Sequence, residues 1–372
     1  MTVGRLEDFA LERYFARWEF AVKHQLSASD VEPLTLNALL GLADDDARAR
    51  WNALTLGYTE STGLPALRQA IAAQYDMVGA DQVVVTAGAE EGIFLAMHAL
   101  LGPADAAIVV APAYQSLHAV ARSIGATVTM VPLRAEAGWR LDPEEIARAV
   151  TPRTRVIVVN FPHNPTGAHI TATDQRRLLE IADGAGAVLF SDEVYRGLEH
   201  DPTERLPPAA DLSDRAVSLG VMSKAFALAG LRIGWIATRN DAVRQGVARL
   251  KDYTSICASA PSEILSLIAL RARDALLERS RAIVAANMRV AGDFMASHAD
   301  AVEWVPARAG STAFPRFLAR DADRVSDDLA RRESVLLIPG SVFGSDASHF
   351  RLGLGRRDFP VAIRALDRVL RS

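Results

Sequence analysis

Residues 218–235 are Ser218-Leu-Gly-Val-Met-Ser-Lys-Ala-Phe-Ala-Leu-Ala-Gly-Leu-Arg-Ile-Gly-Trp235, a stretch that places a lysine and an arginine between apolar segments. The chain contains three lysines in all, Lys23, Lys224 and Lys251. A lysine among apolar side chains is poorly solvated, which favours its neutral, nucleophilic amine. Lys224 is therefore a candidate nucleophile, and Arg232, in the Gly-containing turn that follows, is a candidate anion ligand. The alternative is a lysine at a strand end whose amine simply reaches water.

Composition limits the class of protein. The chain has 372 residues, of which 50% are hydrophobic, so it is long enough to bury a large core. Its formal net charge is −4 with both signs interspersed, which argues against a nucleic-acid or membrane-surface partner. The single cysteine, Cys257, excludes an internal disulfide and a cysteine-based zinc site, and we expect no metal.

The sequence predicts neither a signal peptide nor a membrane span. Charged residues recur through the first twenty positions. No apolar run approaches the roughly 18 residues that a transmembrane helix needs. Together with the single cysteine, these observations predict a cytoplasmic protein.

The apolar pattern predicts strands that alternate with helices. The segments typical of buried strands are 83–85, 107–110, 127–131, 156–159, 188–190, 217–219 and 233–236. Helical stripes lie between several of them, at 64–71, 93–100 and 114–124. The order predicts an α/β fold with a seven-stranded, mostly parallel sheet sandwiched by helices.

The two ends of the chain have a different pattern. An amphipathic helix is expected over 5–22, and a long helix over 275–298. Further strands are expected at 312–317, 335–338 and 350–354. We therefore predict a large domain over 40–283 and a smaller α/β C-terminal domain, formed by 284–372 and joined by the N-terminal segment 1–39.

Polar residues follow the ends of the predicted strands, where open α/β sheets build their sites. Thr86-Ala-Gly-Ala-Glu-Glu-Gly92 is a Gly-containing turn into a helix, and such a turn exposes N–H groups to an anion. Tyr114 follows the next strand and could stack on a planar ring. Taken alone, the turn Thr86–Gly92 could equally be an ordinary tight turn, and Tyr114 could be an aromatic residue of the core.

Two more strand ends carry polar groups. Asn160-Phe-Pro-His-Asn-Pro-Thr-Gly167 is a rigid loop that presents Asn164. Ser191-Asp-Glu-Val-Tyr195 places Asp192 at the end of a buried strand, where an acid is unfavourable unless a cation pairs with it. A capping role for Asp192 is the alternative.

In this order the segments resemble the fold-type I enzymes that depend on pyridoxal 5'-phosphate (PLP), specifically the class I and II aminotransferases. The resemblance is strongest for Asn164-Pro-Thr-Gly167, for Asp192-x-x-Tyr195, and for Ser223-Lys224 with Arg232. It implies that PLP is the cofactor and that Lys224 forms a Schiff base with it.

The resemblance also implies the other cofactor contacts. Asp192 would bind the pyridine nitrogen, Asn164 and Tyr195 the ring 3'-oxygen, and Tyr114 would stack on the ring. The groups that would hold the phosphate are the N–H groups of Ala89 and Glu90, together with Ser223 and Arg232.

Two residues outside these segments match the family as well. Tyr58, in Gly57-Tyr-Thr-Glu-Ser-Thr-Gly63, resembles the tyrosine that reaches the neighbouring subunit's phosphate, which implies a homodimer with shared active sites. Arg351 resembles the arginine that binds the substrate α-carboxylate beside Asn164, with the bidentate fork that such a group favours. A lone arginine on a strand is otherwise expected to be exposed.

The sequence departs from the family pattern at three positions. Val221 stands three residues before Lys224, where a hydroxyl residue often contacts the phosphate. Glu90 and Glu91 stand where small polar residues are common. Because a carboxylate would repel the phosphate, we expect both side chains to turn away while the backbone binds.

Several strings resemble the capreomycidine synthase-like subgroup of the family. They are Leu11-Glu-Arg-Tyr-Phe15, Val159-Asn-Phe-Pro-His-Asn-Pro165, Leu228-Ala-Gly-Leu-Arg-Ile-Gly-Trp235, Gly310-Ser-Thr-Ala-Phe-Pro-Arg-Phe317 and Pro339-Gly-Ser-Val-Phe-Gly344. This resemblance adds an alternative to transamination between an amino acid and a 2-oxo acid. The alternative is elimination with cyclisation of an arginine-derived amino acid. The segment Ser27-Ala-Ser-Asp-Val-Glu32 is expected to line the substrate entrance, and Asp30 or Glu32 could face a cationic substrate. A solvated acidic loop explains the two acids equally well.

Two other classes are not favoured. A PLP-dependent transcription regulator would need a DNA-binding module before the aminotransferase-like part, which is expected to begin within the first few residues. A nicotinamide dehydrogenase would need G-x-G-x-x-G after an early strand, and Thr86–Gly92 does not supply it.

The cofactor link can be tested directly. Borohydride reduction of the holoenzyme followed by peptide mass mapping should place the pyridoxyl adduct on Lys224, because Lys224 is the lysine at an apolar strand end that matches the family. An adduct on Lys23 or Lys251 would refute the assignment.

Overall fold

The computed structural model describes residues 6–371, so the first residue of the helix expected over 5–22 and the last residue of the chain lie outside it. Its α-helices are α1 Ala10–Trp18, α2 Leu36–Leu40, α3 Asp45–Asn52, α4 Pro65–Ala72, α5 Gly88–Leu100, α6 Ser116–Ile124, α7 Pro143–Ala149, α8 Ala172–Ala185, α9 Ala209–Leu212, α10 Asp241–Lys251, α11 Ala260–Arg271, α12 Arg273–Ser297, α13 Ala322–Asp328 and α14 Phe359–Arg371. Its strands are β1 His24–Gln25, β2 Val83–Thr86, β3 Ala106–Ala111, β4 Thr127–Pro132, β5 Thr154–Asn160, β6 Val188–Asp192, β7 Ala216–Val221, β8 Gly234–Ala237, β9 Val302–Glu303, β10 Thr312–Ala313, β11 Arg316–Phe317, β12 Val335–Leu336, β13 Ile338–Pro339 and β14 Phe350–Gly353.

The central sheet confirms the predicted fold class. Its seven strands have the order β2-β8-β7-β6-β5-β3-β4. Strand β8 runs antiparallel to both of its neighbours, and the remaining pairs are parallel. Successive side chains enter separate apolar clusters on the two faces, as Val158 and Val159 of β5 do. Burial on both faces explains why these strands are nearly continuous apolar runs.

Parallel pairing brings the functional strand ends to one edge. In the register of β5, β6 and β7, Asn160 is opposite Asp192, and Asp192 is opposite Leu219. The chain leaves β7 at Val221 and reaches Lys224 three residues later. The carboxyl ends of the strands therefore place these polar groups side by side.

The C-terminal strands differ from the prediction in continuity. The strand predicted over 312–317 is two strands, because β10 pairs with β14 whereas β11 pairs with β9. Pro315 lies between them; it has no N–H to donate, and its carbonyl accepts the Phe350 N–H over 2.9 Å. The segment 335–338 likewise divides into β12, which pairs with β1, and β13, which pairs with β14.

The N-terminal segment lies along the C-terminal strands. Strand β1 runs parallel to β12. Beyond β1, the Leu26 carbonyl accepts the Gly353 N–H over 2.5 Å, and the Glu32 N–H donates to the Gly355 carbonyl over 2.9 Å. These bonds hold residues 26–32 along β14 and the residues that follow it. The limits of the two predicted domains remain a prediction.

None of the helices between residues 6 and 371 combines the length and the apolar character needed to cross a bilayer.

Candidate active site

A cavity of about 400 Å³ opens at the carboxyl edge of the central sheet. The predicted site residues that line it are Ala89, Glu90, Tyr114, Asn164, Asp192, Tyr195, Ser223, Lys224 and Arg232. They come from the first turn of α5, from the end of β6, from the loops after β3, β5, β6 and β7, and from the turn before β8. The fold thus brings together side chains that are far apart in sequence.

Lys224 projects into this cavity from the loop after β7. Its Nζ donates to Ser29 Oγ over 2.8 Å and lies 5.9 Å from the centroid of the Tyr195 ring. Ser29 belongs to the segment expected at the substrate entrance, but the sequence did not predict its position beside the Lys224 amine. The amine is therefore held between the sheet and the N-terminal segment.

Asp192 is a buried carboxyl, only 4% exposed, at the end of β6. Its Oδ1 accepts the Val194 N–H over 3.2 Å. Burial raises its pKa to about 7, although the Val194 N–H and the Lys224 charge act in the opposite direction. A protonated pyridine nitrogen would give this acid the cationic partner that its surroundings favour.

Asn164 and Tyr195 form the wall next to Asp192. Asn160 Oδ1 accepts the Asn164 N–H over 2.9 Å, and Asn160 Nδ2 donates to the Asp192 carbonyl over 3.0 Å, so the loop is fixed to the strand end. The Tyr195 hydroxyl is buried and has no hydrogen-bond partner among residues 6–371. Buried polar groups are nearly always paired, and the 3'-oxygen of PLP would satisfy this hydroxyl.

The start of α5 and Arg232 form a cationic corner. Gly88 has a φ of +84°, and a Cβ built there would lie 2.6 Å from Arg232 Nη2, so only glycine lets the guanidinium approach. The N–H groups of Ala89 and Glu90 belong to the first turn of α5, where the helix itself provides no acceptor. Together with Ser223 they suit a phosphate. Val221 also lines the cavity and contributes no hydroxyl.

The two glutamates of this turn point in different directions. Glu91 turns back, and its carboxylate accepts the Ala87 N–H and the Thr254 hydroxyl, each over 2.6 Å. Glu90 instead turns along the cavity wall, where Ser116 Oγ donates to it over 3.1 Å and the Tyr114 hydroxyl also bonds it. Burial raises the pKa of Glu90, and these two hydrogen bonds oppose that shift.

Arg351 and Tyr58 do not line the cavity. Tyr58 is 89% exposed in a surface loop. Arg351 is only 1% exposed, so the alternative of a solvated arginine is wrong. Its Nε and Nη2 donate to the Ser27 carbonyl over 3.1 and 2.7 Å, and its Nη1 donates to Asn164 Oδ1 over 3.3 Å. Three of the five guanidinium N–H groups are thus engaged, and two are left for a carboxylate.

Helix α1 contributes a wall that sequence reasoning missed. Glu12, Phe15 and Glu19 line the cavity. Glu12 and Phe15 lie on one face of α1, and Glu19, which follows the helix with a helical backbone, continues that face, so the periodicity contained the signal. The periodicity did not contain the position of that face against a site formed by residues from Ala89 to Arg232.

The acidic loop after β1 has partners of its own. Arg356 Nη2 donates to both Asp30 oxygens, over 3.0 and 3.1 Å, and both residues line the cavity. Glu32 accepts the Arg357 N–H over 3.2 Å and lies outside the cavity, so it does not face a substrate there. Asp30 is neutralised by Arg356.

Comparisons with known proteins agree with this geometry. The model of the family "Aminotransferase class I and II" matches residues 30–359. Capreomycidine synthase of Streptomyces vinaceus is 35% identical over 94% of this chain and 88% of its own length. Arginine–pyruvate transaminase of Pseudomonas aeruginosa is 34% identical over 80% of this chain and 77% of its own length. The crystal structure of the PLP-dependent cyclase OrfR superposes with a TM-score of 0.89 at 32% identity and covers 100% of this chain and 98% of that one.

The buried acid predicts a pH-dependent stability of the cofactor-free protein. Asp192 has a pKa of about 7 in the fold and an ordinary value of 3.8, so ionisation between these values destabilises the parent as the pH rises, and the full penalty is present above pH 7. The free energy of unfolding of Asp192→Asn should therefore exceed that of the parent by roughly 2–4 kcal/mol at about pH 8.5, so the variant should unfold at a higher urea concentration. The difference between the two free energies should close near pH 4.

Circular dichroism during urea unfolding would measure this difference. The matched control is Asp300→Asn, which changes an exposed aspartate and should leave stability unchanged at both pH values. A pH-independent gap for Asp192→Asn would show that its carboxyl is not held against ionisation.

Proposed function

The chain belongs to the class I and II aminotransferases, a family of PLP-dependent enzymes, and on that premise we propose that it is an amino-acid aminotransferase. It would move an α-amino group between an amino acid and a 2-oxo acid through a Schiff base on Lys224. The observation that carries the proposal is one cavity that holds Lys224, Asp192 and Asn164 next to the Arg232 corner.

The lysine has two tasks in this proposal. Bound PLP supplies a ring that accepts electrons from the substrate α-carbon. The Lys224 amine would hold the cofactor as a nucleophile, and as a free amine it would take the substrate α-proton as general base. Ser29 Oγ, 2.8 Å from Nζ, is placed to hold the free amine at the cavity wall.

The neighbouring groups would keep protons where the reaction needs them. Asp192 would keep a proton on the pyridine nitrogen, because the buried carboxylate is stabilised by that charge. Tyr195 and Asn164 would donate to the ring 3'-oxygen, and Tyr114 would cover the ring. Arg351 lies behind the cavity wall, where its Nη1 donates to Asn164 of that wall. It would bind the substrate α-carboxylate through the two N–H groups that have no partner among residues 6–371.

We further propose that the amino donor has a cationic side chain. Glu12 and Glu19 line the cavity, and neither carboxylate has an ion-pair partner within 4.0 Å in the described chain. Burial, followed by the repulsion of Glu12, raises the pKa of Glu19. A guanidinium or ammonium between these two carboxylates would offset the repulsion between them and stabilise their ionised forms. Similarity to a transaminase named for arginine supports this choice.

Elimination with cyclisation is the second candidate reaction. Similarity to a capreomycidine synthase over 94% of the chain, and to a structure described as a PLP-dependent cyclase, favours it. Both reactions begin with removal of the α-proton, and the residues around Lys224 serve either one. Elimination additionally needs a leaving group on the β-carbon, so the substrate decides between them.

We also propose that the enzyme is a homodimer. Leu56, Tyr58 and Tyr253 are exposed large side chains on two loops, and the loops are joined where Thr59 Oγ1 donates to the Ala258 carbonyl over 3.3 Å. An apolar surface of this kind suits a second copy. Tyr58 does not reach the cavity of its own chain, which agrees with a role in the partner's site.

Product analysis separates the two reactions. Purified holoenzyme is mixed in single turnover with arginine, lysine, neutral amino acids and β-hydroxyarginine, and products are identified by mass. Transamination should give pyridoxamine phosphate and a 2-oxo acid from the basic donors. Loss of one water from β-hydroxyarginine, with PLP regenerated and no 2-oxo acid from any donor, would contradict the aminotransferase proposal and support cyclisation.

The acidic wall predicts side-chain specificity. Glu12→Gln and Glu19→Gln should each lower kcat/KM for a basic donor by about 10- to 100-fold, because a hydrogen-bonded charge is lost. kcat/KM for a neutral donor should change little. Glu278→Gln, at an exposed position of α12, is the matched control. Equal losses of kcat/KM for basic and neutral donors would show that Glu12 and Glu19 do not select the donor by its side-chain charge.

Shared sites can be tested by mixing two defective chains. Lys224→Ala dimers lack the Schiff base, and Tyr58→Phe dimers lack a phosphate contact in both sites. In the mixed dimer one site would carry both lesions and the other neither, so the second should recover parental PLP affinity. If every site of the mixed dimer stays defective, Tyr58 serves its own chain.

A further inference from the structure

Lys251 is a buried lysine that the proposed reaction does not use. It is the last residue of α10, is fully buried, and does not line the active-site cavity. Burial lowers its pKa, and the charge of Glu91 is the largest influence in the opposite direction. Within residues 6–371 no carboxylate lies within 4.0 Å of its amine. A buried ammonium without a direct ion pair needs another explanation.

A hydroxyl connects this amine to an acid. Lys251 Nζ donates to Ser255 Oγ over 2.5 Å. The Glu91 carboxylate is held beside this hydroxyl, because the Thr254 hydroxyl next in the chain donates to it over 2.6 Å. Against the effect of burial, the Ala87 N–H, the Thr254 hydroxyl and then the Ser255 hydroxyl lower the pKa of Glu91. A hydroxyl has one proton, so when it accepts from an ammonium it is oriented to donate to the carboxylate. The three side chains therefore form a directed relay.

The relay ends at the backbone of the cationic corner. Glu91 Oε2 accepts the Ala87 N–H over 2.6 Å, immediately before Gly88 and the first turn of α5. Its Oε1 accepts the Thr254 hydroxyl, so the same carboxylate fixes the loop after α10. The direction in which the Ala89 and Glu90 N–H groups point depends on how this turn is held.

We propose that Lys251, Ser255 and Glu91 act as positioning residues that orient the start of α5 for the cofactor phosphate. None of them would touch the cofactor. The relay would bind the Ala87 N–H on the side away from the phosphate. The N–H groups of Ala89 and Glu90 would then point towards the phosphate. The inference rests on the proposed placement of the phosphate beside Arg232.

The test compares PLP with pyridoxal, which lacks the phosphate. Each cofactor is titrated into the apoenzyme, and binding is followed by absorbance. Lys251→Met and Ser255→Ala should weaken PLP binding by about tenfold, the loss expected for one charge-assisted hydrogen bond, and leave pyridoxal binding unchanged. Ser255→Thr keeps the hydroxyl and should bind PLP as the parent does. Lys23→Met, at an exposed lysine, is the matched control.

Two results would overturn the proposal. The relay has no positioning role if the PLP-to-pyridoxal affinity ratio stays within about twofold of the parent. Equal weakening of both ligands would show a merely structural role. Ser255→Ala decides the matter if Lys251→Met does not fold.

Arg232→Met separates this inference from the site on which it rests. If Arg232→Met lowers the affinity ratio and the relay variants do not, only the relay is wrong. If Arg232→Met leaves the ratio unchanged, the phosphate lies elsewhere, and both the placement and the relay are wrong.

Discussion

The parallel alignment of β5, β6 and β7 is the constraint on which the active site depends. It places a buried carboxyl, Asp192, beside the Asn160 loop on one side and beside the turn of Lys224 on the other. Burial keeps the pKa of Asp192 near 7, and an acid in that state is stabilised by a cationic ligand. The ionised carboxylate of Asp192 is therefore unfavourable in the fold alone, and a protonated ring nitrogen beside it would stabilise it.

The N-terminal segment completes what the sheet begins. Ser29 binds the Lys224 amine, and the Ser27 carbonyl binds the guanidinium of Arg351. Glu12 of α1 and Glu19, the residue that follows α1, add two carboxylates to the cavity wall. The sheet edge thus supplies groups suited to the cofactor, and the segment before it supplies groups suited to a substrate side chain. Such a division lets substrate choice change while the cofactor site stays the same.

The family leaves the reaction open because its members share the first chemical step. The relatives of this chain include a transaminase and a cyclase. An amine that removes the α-proton serves both, and so does an acid that stabilises the ring. The outcome depends on whether the β-carbon carries a leaving group and on how the side chain is held. The first property belongs to the substrate, and in our proposal the second belongs to the wall formed by α1.

The sequence by itself determined the seven-stranded sheet and the residues at its strand ends, because buried strands and their turns are local patterns. Resemblance to a family also predicts roles for Lys224, Asp192, Asn164 and Arg232, and the fold brings these four residues to one cavity. Only the tertiary structure decided that Glu12 lines the cavity, since helical periodicity identifies a face and not what that face meets. Short strands such as 312–317 were predicted as continuous because the pairing partner, not the local sequence, sets where a strand ends.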